Sequence, residues 1–104
     1  MAIHPDDPPW GIFGLPRIIT CEKNIERFLK LVDSPYNGLT FCTGSLGANP
    51  ENDLIAMIKR FGGEGRIHFM HVRNIKLVGE RGFNETAHKT ECGSLDIYGI
   101  IKAL

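Results

Sequence analysis

The spacing of apolar residues along the chain predicts three helices, each with a single apolar stripe. The first is expected over residues 21–32 with Thr20 as its cap, and the second between Asn49 and the glycine pair at 62–63. A third should follow Ser94 and reach the last residue. The stripes comprise Ile25, Phe28, Leu29 and Val32, then Leu54, Met57, Ile58 and Phe61, and finally Ile97, Ile100, Ile101 and Leu104.

Three short apolar runs, each followed by polar or glycine-rich sequence, predict β-strands over residues 1–3, 39–43 and 66–72. Because strands and helices alternate, we predict an α/β fold of about three consecutive β/α units with parallel strands. Residues 74–93 are expected to form a long connection with at most a brief extended piece at residues 75–78, and connections of that length are usually functional.

The two ends of the chain both fall inside predicted elements. The sequence begins within a strand and stops within an amphipathic helical pattern. We therefore expect residues 1–104 to be a fragment of a single domain, truncated at both ends.

Composition and charge argue against a nucleic-acid-binding protein and against a membrane-spanning one. The formal net charge of +0 offers no basic field for nucleic acid, and no apolar run approaches the roughly 18 residues that cross a bilayer. The three cysteines are far apart and form no CxxC pair, which is typical of free thiols in a reducing compartment. We expect a cytoplasmic protein without a nucleic-acid or membrane partner.

His4, Cys42 and His71 each close a predicted strand. Right-handed crossovers place the carboxyl ends of successive parallel strands on one face, where these side chains could converge on a metal ion. In period-two geometry only one of the two histidines in the third strand can point towards the site, and His71 is preferred because it lies at the carboxyl end. His68 is expected to pack against a helix. A thiolate ligand favours Zn²⁺ or Fe²⁺. In ordinary structural roles, His4 would cap a turn, Cys42 would be a small buried residue and His71 would donate to a carbonyl.

Charged residues surround these candidates. Asp6 and Asp7 are placed to orient His4 or to bind substrate, although aspartates beside prolines are also common turn formers. Arg73 is placed to clamp a carboxylate, although an isolated arginine at a strand end is more often solvated or ion-paired.

Further binding candidates lie in the two predicted loops. Residues 43–47 are expected to form a glycine-containing loop whose amides, with Ser45, could face an anion. In the long connection, Glu85 and His88 are acid/base candidates by their chemistry. We count Arg73, Asn74, Ser45 and His88 as substrate-binding candidates.

Several blocks of the sequence form a specific combination when taken in order. They are residues 4–9, 14–18, 37–40, 42–47, 71–74, Phe83 with Glu85 and His88, and residues 93–98. These blocks resemble the motifs of mannonate dehydratases over essentially the whole chain. Asn84 departs from the family, which has a histidine in its Phe-His-Glu run.

The resemblance implies a TIM (β/α)8 barrel and a hydro-lyase of hexuronate breakdown that converts D-mannonate to 2-keto-3-deoxy-D-gluconate. It implies Mn²⁺ or Fe²⁺ held by two histidines, a cysteine and an aspartate, with His4, Cys42 and His71 as three of the four ligands. The fourth ligand and a catalytic histidine belong to an Arg-Pro-Asp-His-Gly type of motif that is not in this sequence. Asp96 lies in a different motif, and the catalytic residues stay unassigned.

We therefore expect a partial TIM barrel that is inactive alone and is a homo-oligomer. Two other functions are compatible with the residues. One is a related metal-dependent sugar isomerase or epimerase, which would conserve water. The other is a non-catalytic metal-binding or assembly piece that oligomerises to cover its exposed strands.

Overall fold

The computed structural model describes residues 1–104 and confirms an α/β fold with parallel strands. Strands β1 (Ala2–Ile3), β2 (Gly38–Cys42) and β3 (Ile67–His71) form one sheet in the order β1-β2-β3. Both pairings are parallel, so the three carboxyl ends lie at the same edge of the sheet.

Four α-helices accompany the sheet: α1 (Glu22–Leu31), α2 (Thr43–Gly47), α3 (Leu54–Gly63) and α4 (Ile97–Ala103). The predicted stripe of α3 is buried throughout, and one core joins residues from α1, β2, α3 and α4. The outer stripe positions are exposed, with Val32 at 61%, Ile101 at 57% and Leu104 at 58%. The helices therefore cover one face of the sheet with the inner part of each stripe.

Each predicted helix starts later than its sequence signal indicated. Cys21 occupies the cap position of α1 without a side-chain hydrogen bond, so the prediction of Thr20 as the cap was wrong. Asp53 caps α3 through the amide of Ala56, and Asp96 caps α4 through the amide of Gly99. Asn49 instead accepts from the amide of Glu51 in the turn before α3. The hydroxyl of Ser94 accepts from the amide of Leu77, 17 positions earlier in the chain.

A β-bulge interrupts the pairing of β2 with β3. Leu39 pairs with Ile67, but Thr40 pairs with Phe69, which leaves His68 as the additional residue. A Cβ placed on Gly38 would lie 2.6 Å from Cε1 of His68, so this ring lies over Gly38 on the uncovered face. The expectation that His68 packs against a helix was wrong, because strict alternation does not hold across a bulge.

Residues 74–93 form regular structure rather than an irregular connection. Strands β4 (Asn74–Leu77) and β5 (Phe83–Thr86) pair in antiparallel register, and a turn of 3-10 helix follows at Thr90–Cys92. This hairpin lies beside the carboxyl edge of the parallel sheet, next to α2. No helix of the structure combines the length and apolar character required to span a lipid bilayer.

Candidate metal centre

The structure brings together the three side chains that end the parallel strands. His4 follows β1 directly, while Cys42 and His71 are the last residues of β2 and β3 and are paired in register. One ligand atom from each residue lies within 4.8 Å of the others. The strand order of the sheet is sufficient to produce this convergence.

The tautomer of His4 suits a cation between the imidazoles of His4 and His71. Nδ1 of His4 lies 2.7 Å from the carbonyl oxygen of Pro5, and since a carbonyl only accepts, Nδ1 carries the proton. The lone pair of His4 is then on Nε2, which faces Nδ1 of His71 at 3.5 Å. Two ring nitrogens directed at each other in this way are suited to share a positive ion.

The spacing of the donors fits a first-row metal. Nitrogen–metal bonds of about 2.1 Å at a tetrahedral angle separate two nitrogens by roughly 3.4 Å. The two imidazole nitrogens of His4 and His71 are 3.5 Å apart, and the Cys42 sulfur completes a soft and borderline donor set. Donor chemistry and spacing therefore both fit a divalent transition metal.

Cys42 is the buried member of the cluster and caps a helix. Its sulfur accepts from the amide of Ser45 at 3.5 Å and from the Ser45 hydroxyl at 3.2 Å. Nη1 of Arg73 donates to the same sulfur at 3.6 Å. Residues 43–47 form α2, so the predicted open loop was wrong and Ser45 is directed to sulfur.

Arg73 lies at the centre of an ion-pair network beside the cysteine. Its Nε donates to Oε1 of Glu85 at 2.9 Å, and its Nη2 pairs with the same oxygen. Nη1 donates to Asp7 at 2.8 Å and to the Ser45 hydroxyl at 3.3 Å. The hydrogen bond to Glu85 above all, with contributions from Asp7 and Cys42, raises the pKa of Arg73 against the opposing effect of burial. The guanidinium is therefore a fixed cation.

The two aspartates have different partners, and neither hydrogen-bonds to His4. Asp6 accepts from the amides of Ile18 and Ile19 at 2.8 Å each. It thereby holds the loop after β1 against the segment that precedes α1. Asp7 pairs with Arg73. Orientation of His4 comes instead from the carbonyl of Pro5.

Asn74 and His88, predicted as substrate candidates, also bond to the backbone. The Asn74 amide is 1% exposed, donates to the carbonyls of Ala87 and Lys89 and accepts from the amide of Leu95. His88 is exposed, and its Nε2 lies 3.1 Å from the carbonyl of Val72, which leaves Nδ1 free. Substrate contact stays a prediction for both, and His88 is the more accessible.

Thr43 is a site residue that the sequence did not single out. Its hydroxyl donates to the carbonyl of Arg73 at 2.7 Å and accepts from the Arg73 amide at 2.8 Å. A threonine after a strand carries no signal for such a pairing, because the partner is 30 positions away.

Comparison with known proteins gives one consistent family. The family model described as D-mannonate dehydratase (UxuA) matches residues 1–104. A mannonate dehydratase of Thermotoga petrophila is 68% identical over 103 residues, which cover 99% of this chain and 29% of the relative. Mannonate dehydratase 2 of Halalkalibacterium halodurans is 62% identical over 103 residues, with 99% and 30% covered.

A solved structure agrees with these sequences. The crystal structure of mannonate dehydratase from Streptococcus suis serotype 2 superposes with a TM-score of 0.93 at 53% identity. The match covers 100% of this chain and 30% of that one, so the chain spans about three tenths of the length of its relatives. The resemblance in the motifs is thereby confirmed, and the chain belongs to the mannonate dehydratase family.

Proposed function

We propose that this chain supplies the metal-binding segment of a mannonate dehydratase, which removes water from D-mannonate to give 2-keto-3-deoxy-D-gluconate. The observation that carries the proposal is the convergence of His4, Cys42 and His71 within 4.8 Å. Family membership over residues 1–104 supports the choice of reaction over isomerisation or epimerisation.

The sheet is proposed to be three consecutive strands of a (β/α)8 barrel. Support comes from the parallel order β1-β2-β3, from helices on one face only, and from a site at the carboxyl ends of the strands. Barrel enzymes carry their chemistry at that end. In this arrangement the uncovered face, which includes Phe69 at 61% exposure, would face the barrel interior.

His4, Cys42 and His71 are proposed to hold Mn²⁺ or Fe²⁺. Such an ion neutralises charge on the substrate's carboxylate or a neighbouring oxygen, which eases removal of the poorly acidic C2 proton. The chain's own residues fix the site: the Pro5 carbonyl orients His4, and Ser45 and Arg73 direct the sulfur. His88, with a free Nδ1, is the best placed of the substrate candidates.

The acid and base of the dehydration are not assigned to residues of this chain. A general base must take the C2 proton while a general acid protonates the departing C3 hydroxyl. Because no pair of groups is placed here for both transfers, we propose that the chain alone does not turn over D-mannonate. For the chain on its own we also propose a cytoplasmic homo-oligomer, since the outer edges of β1 and β3 have no partner strand within it.

A hybrid enzyme tests the reaction. This chain replaces the 103 aligned residues of the Thermotoga petrophila relative, to which it is 68% identical. We expect the hybrid to form 2-keto-3-deoxy-D-gluconate from D-mannonate, and a Cys42→Ala hybrid to lose most of that activity. A folded, metal-loaded hybrid that yields only an isomer of mannonate would contradict the proposal.

Metal analysis of the chain itself tests the site. His71→Ala should lower the bound Mn²⁺ measured by equilibrium dialysis. His68→Ala is the matched control, because it removes an exposed histidine of the same strand that is outside the cluster. Equal loss of metal in both variants would argue against the proposed ligand set.

A further inference from the structure

We propose that Arg73 is a positioning residue that holds the Cys42 sulfur in place for the metal, rather than a clamp for the substrate's carboxylate. The inference rests on the proposed metal centre and adds to it a residue that positions a ligand without binding the metal itself. It also replaces the role predicted from the sequence, in which Arg73 clamps a carboxylate of the substrate.

The guanidinium is directed inward and is already occupied. All three of its nitrogens donate to protein groups, and the side chain is only 17% exposed. Glu85 holds Nε and Nη2, and Asp7 shares Nη1 with the sulfur. A substrate carboxylate would have to displace one of two carboxylates that are already paired. The arginine is therefore better suited to orient a neighbour than to capture an anion.

The backbone around Arg73 is fitted to this placement. Thr43 holds both backbone polar groups of Arg73 through one hydroxyl. A Cβ on Gly44 would lie 2.8 Å from Nε of Arg73 and 2.9 Å from its Cβ, closer than real side chains approach. Only glycine at position 44 leaves room for the arginine to reach Cys42.

The sulfur needs these donors because it is buried. A metal-bound thiolate carries negative charge, and Cys42 is 0% exposed, so protein groups must replace water around it. Ser45 contributes an amide and a hydroxyl, and Arg73 contributes a cation. Glu85 on β5 and Asp7 after β1 fix that cation from two other parts of the chain. Ligand orientation is thus shared among several elements.

Loss of a group that orients a metal ligand typically lowers metal affinity by about 10- to 100-fold. Co²⁺ serves as the spectroscopic probe of the site. We expect Arg73→Gln to lower the affinity for Co²⁺ by a factor in that range. The variant should also weaken or shift the charge-transfer band between the Cys42 sulfur and cobalt. Arg73→Lys keeps the charge and should recover part of both. Arg60→Gln is the matched control, since Arg60 is also ion-paired, with Glu22, Glu26 and Glu64, but lies outside the site.

The experiment titrates the purified chain with Co²⁺ alone and follows the charge-transfer band, with circular dichroism to verify folding. A folded Arg73→Gln variant with unchanged affinity and an unchanged band would overturn the inference. If that variant does not fold, Glu85→Gln and Asp7→Asn decide by the same criteria, because Glu85 and Asp7 hold the guanidinium without bonding to the sulfur themselves. Absence of the band in the unaltered chain would instead count against the metal centre itself, so the two failures are distinguishable.

Discussion

At the scale of single residues, buried polar side chains with several backbone partners are expected to matter most for stability. Asn74 links the β4 region to the carbonyls of Ala87 and Lys89 and to the amide of Leu95. Removing such a buried side chain leaves each partner without a hydrogen bond, at about 1–3 kcal/mol for a buried group.

We predict that Asn74→Ala lowers the free energy of unfolding by about 2–4 kcal/mol, measured by urea denaturation. Asn24→Ala serves as the control, because Asn24 is half-buried and donates only to the Thr20 hydroxyl. A change of equal size in both variants would contradict the structural role of Asn74. If the folded fraction of Asn74→Ala binds Mn²⁺ with unchanged affinity, the structural role of Asn74 is separate from the proposed metal centre.

Much of the candidate site could be predicted at this scale. The convergence of His4, Cys42 and His71 could be predicted because each ends a strand, and parallel pairing alone brings such residues to one edge. The position of His68 was not predictable, because the sequence does not reveal a bulge. The partners of Arg73 were likewise hidden, since Asp7 is 66 positions away and Glu85 is on a strand that was not recognised.

At the scale of elements, apolar periodicity found every long helix but misplaced its first residue. The stripes report which face is buried over several turns, whereas a start depends on which of several polar side chains reaches a free amide. The extended piece predicted at residues 75–78 overlaps β4 (Asn74–Leu77), but β5 (Phe83–Thr86) was missed because both strands are short and alternate weakly. The two segments are strands because they pair with each other in antiparallel register, not because either has a clear alternation of apolar and polar residues.

Helices α1 and α3 are joined at the surface by Arg60, which pairs with Glu22 and Glu26. Hydrogen bonds from Lys30 and Arg60 hold the pKa of Glu26 below its ordinary value of 4.5. A carboxyl whose pKa is lower in the folded state stabilises the fold above the unfolded pKa, and this contribution disappears as the pH falls through the folded value.

We therefore predict that Glu26→Gln reduces the loss of thermal stability between neutral pH and a pH below 4.5. The effect should be small and should decrease at high salt, because these groups are exposed to solvent. Thermal melts at several pH values measure it, with Glu51→Gln as a control outside any ion pair found in the structure. A steeper acid dependence in Glu26→Gln than in the unaltered chain would contradict the assignment.

At the scale of the whole molecule, the proposed metal centre would join the ends of all three parallel strands. An ion that binds only the folded chain stabilises it by about 2.7 kcal/mol at 100 times the dissociation constant. We predict that saturating Mn²⁺ raises the melting temperature of the chain and that Cys42→Ala removes most of this increase. A similar rise in Cys42→Ala would place the bound ion elsewhere.

X-ray absorption spectroscopy of the Co²⁺-loaded chain tests the central claim most directly, because it reports the atoms bound to the metal. We predict one sulfur at about 2.3 Å and two imidazole nitrogens at about 2.1 Å, with the sulfur absent from Cys42→Ser. A spectrum of the unaltered chain with only oxygen and nitrogen neighbours would contradict a centre built from His4, Cys42 and His71.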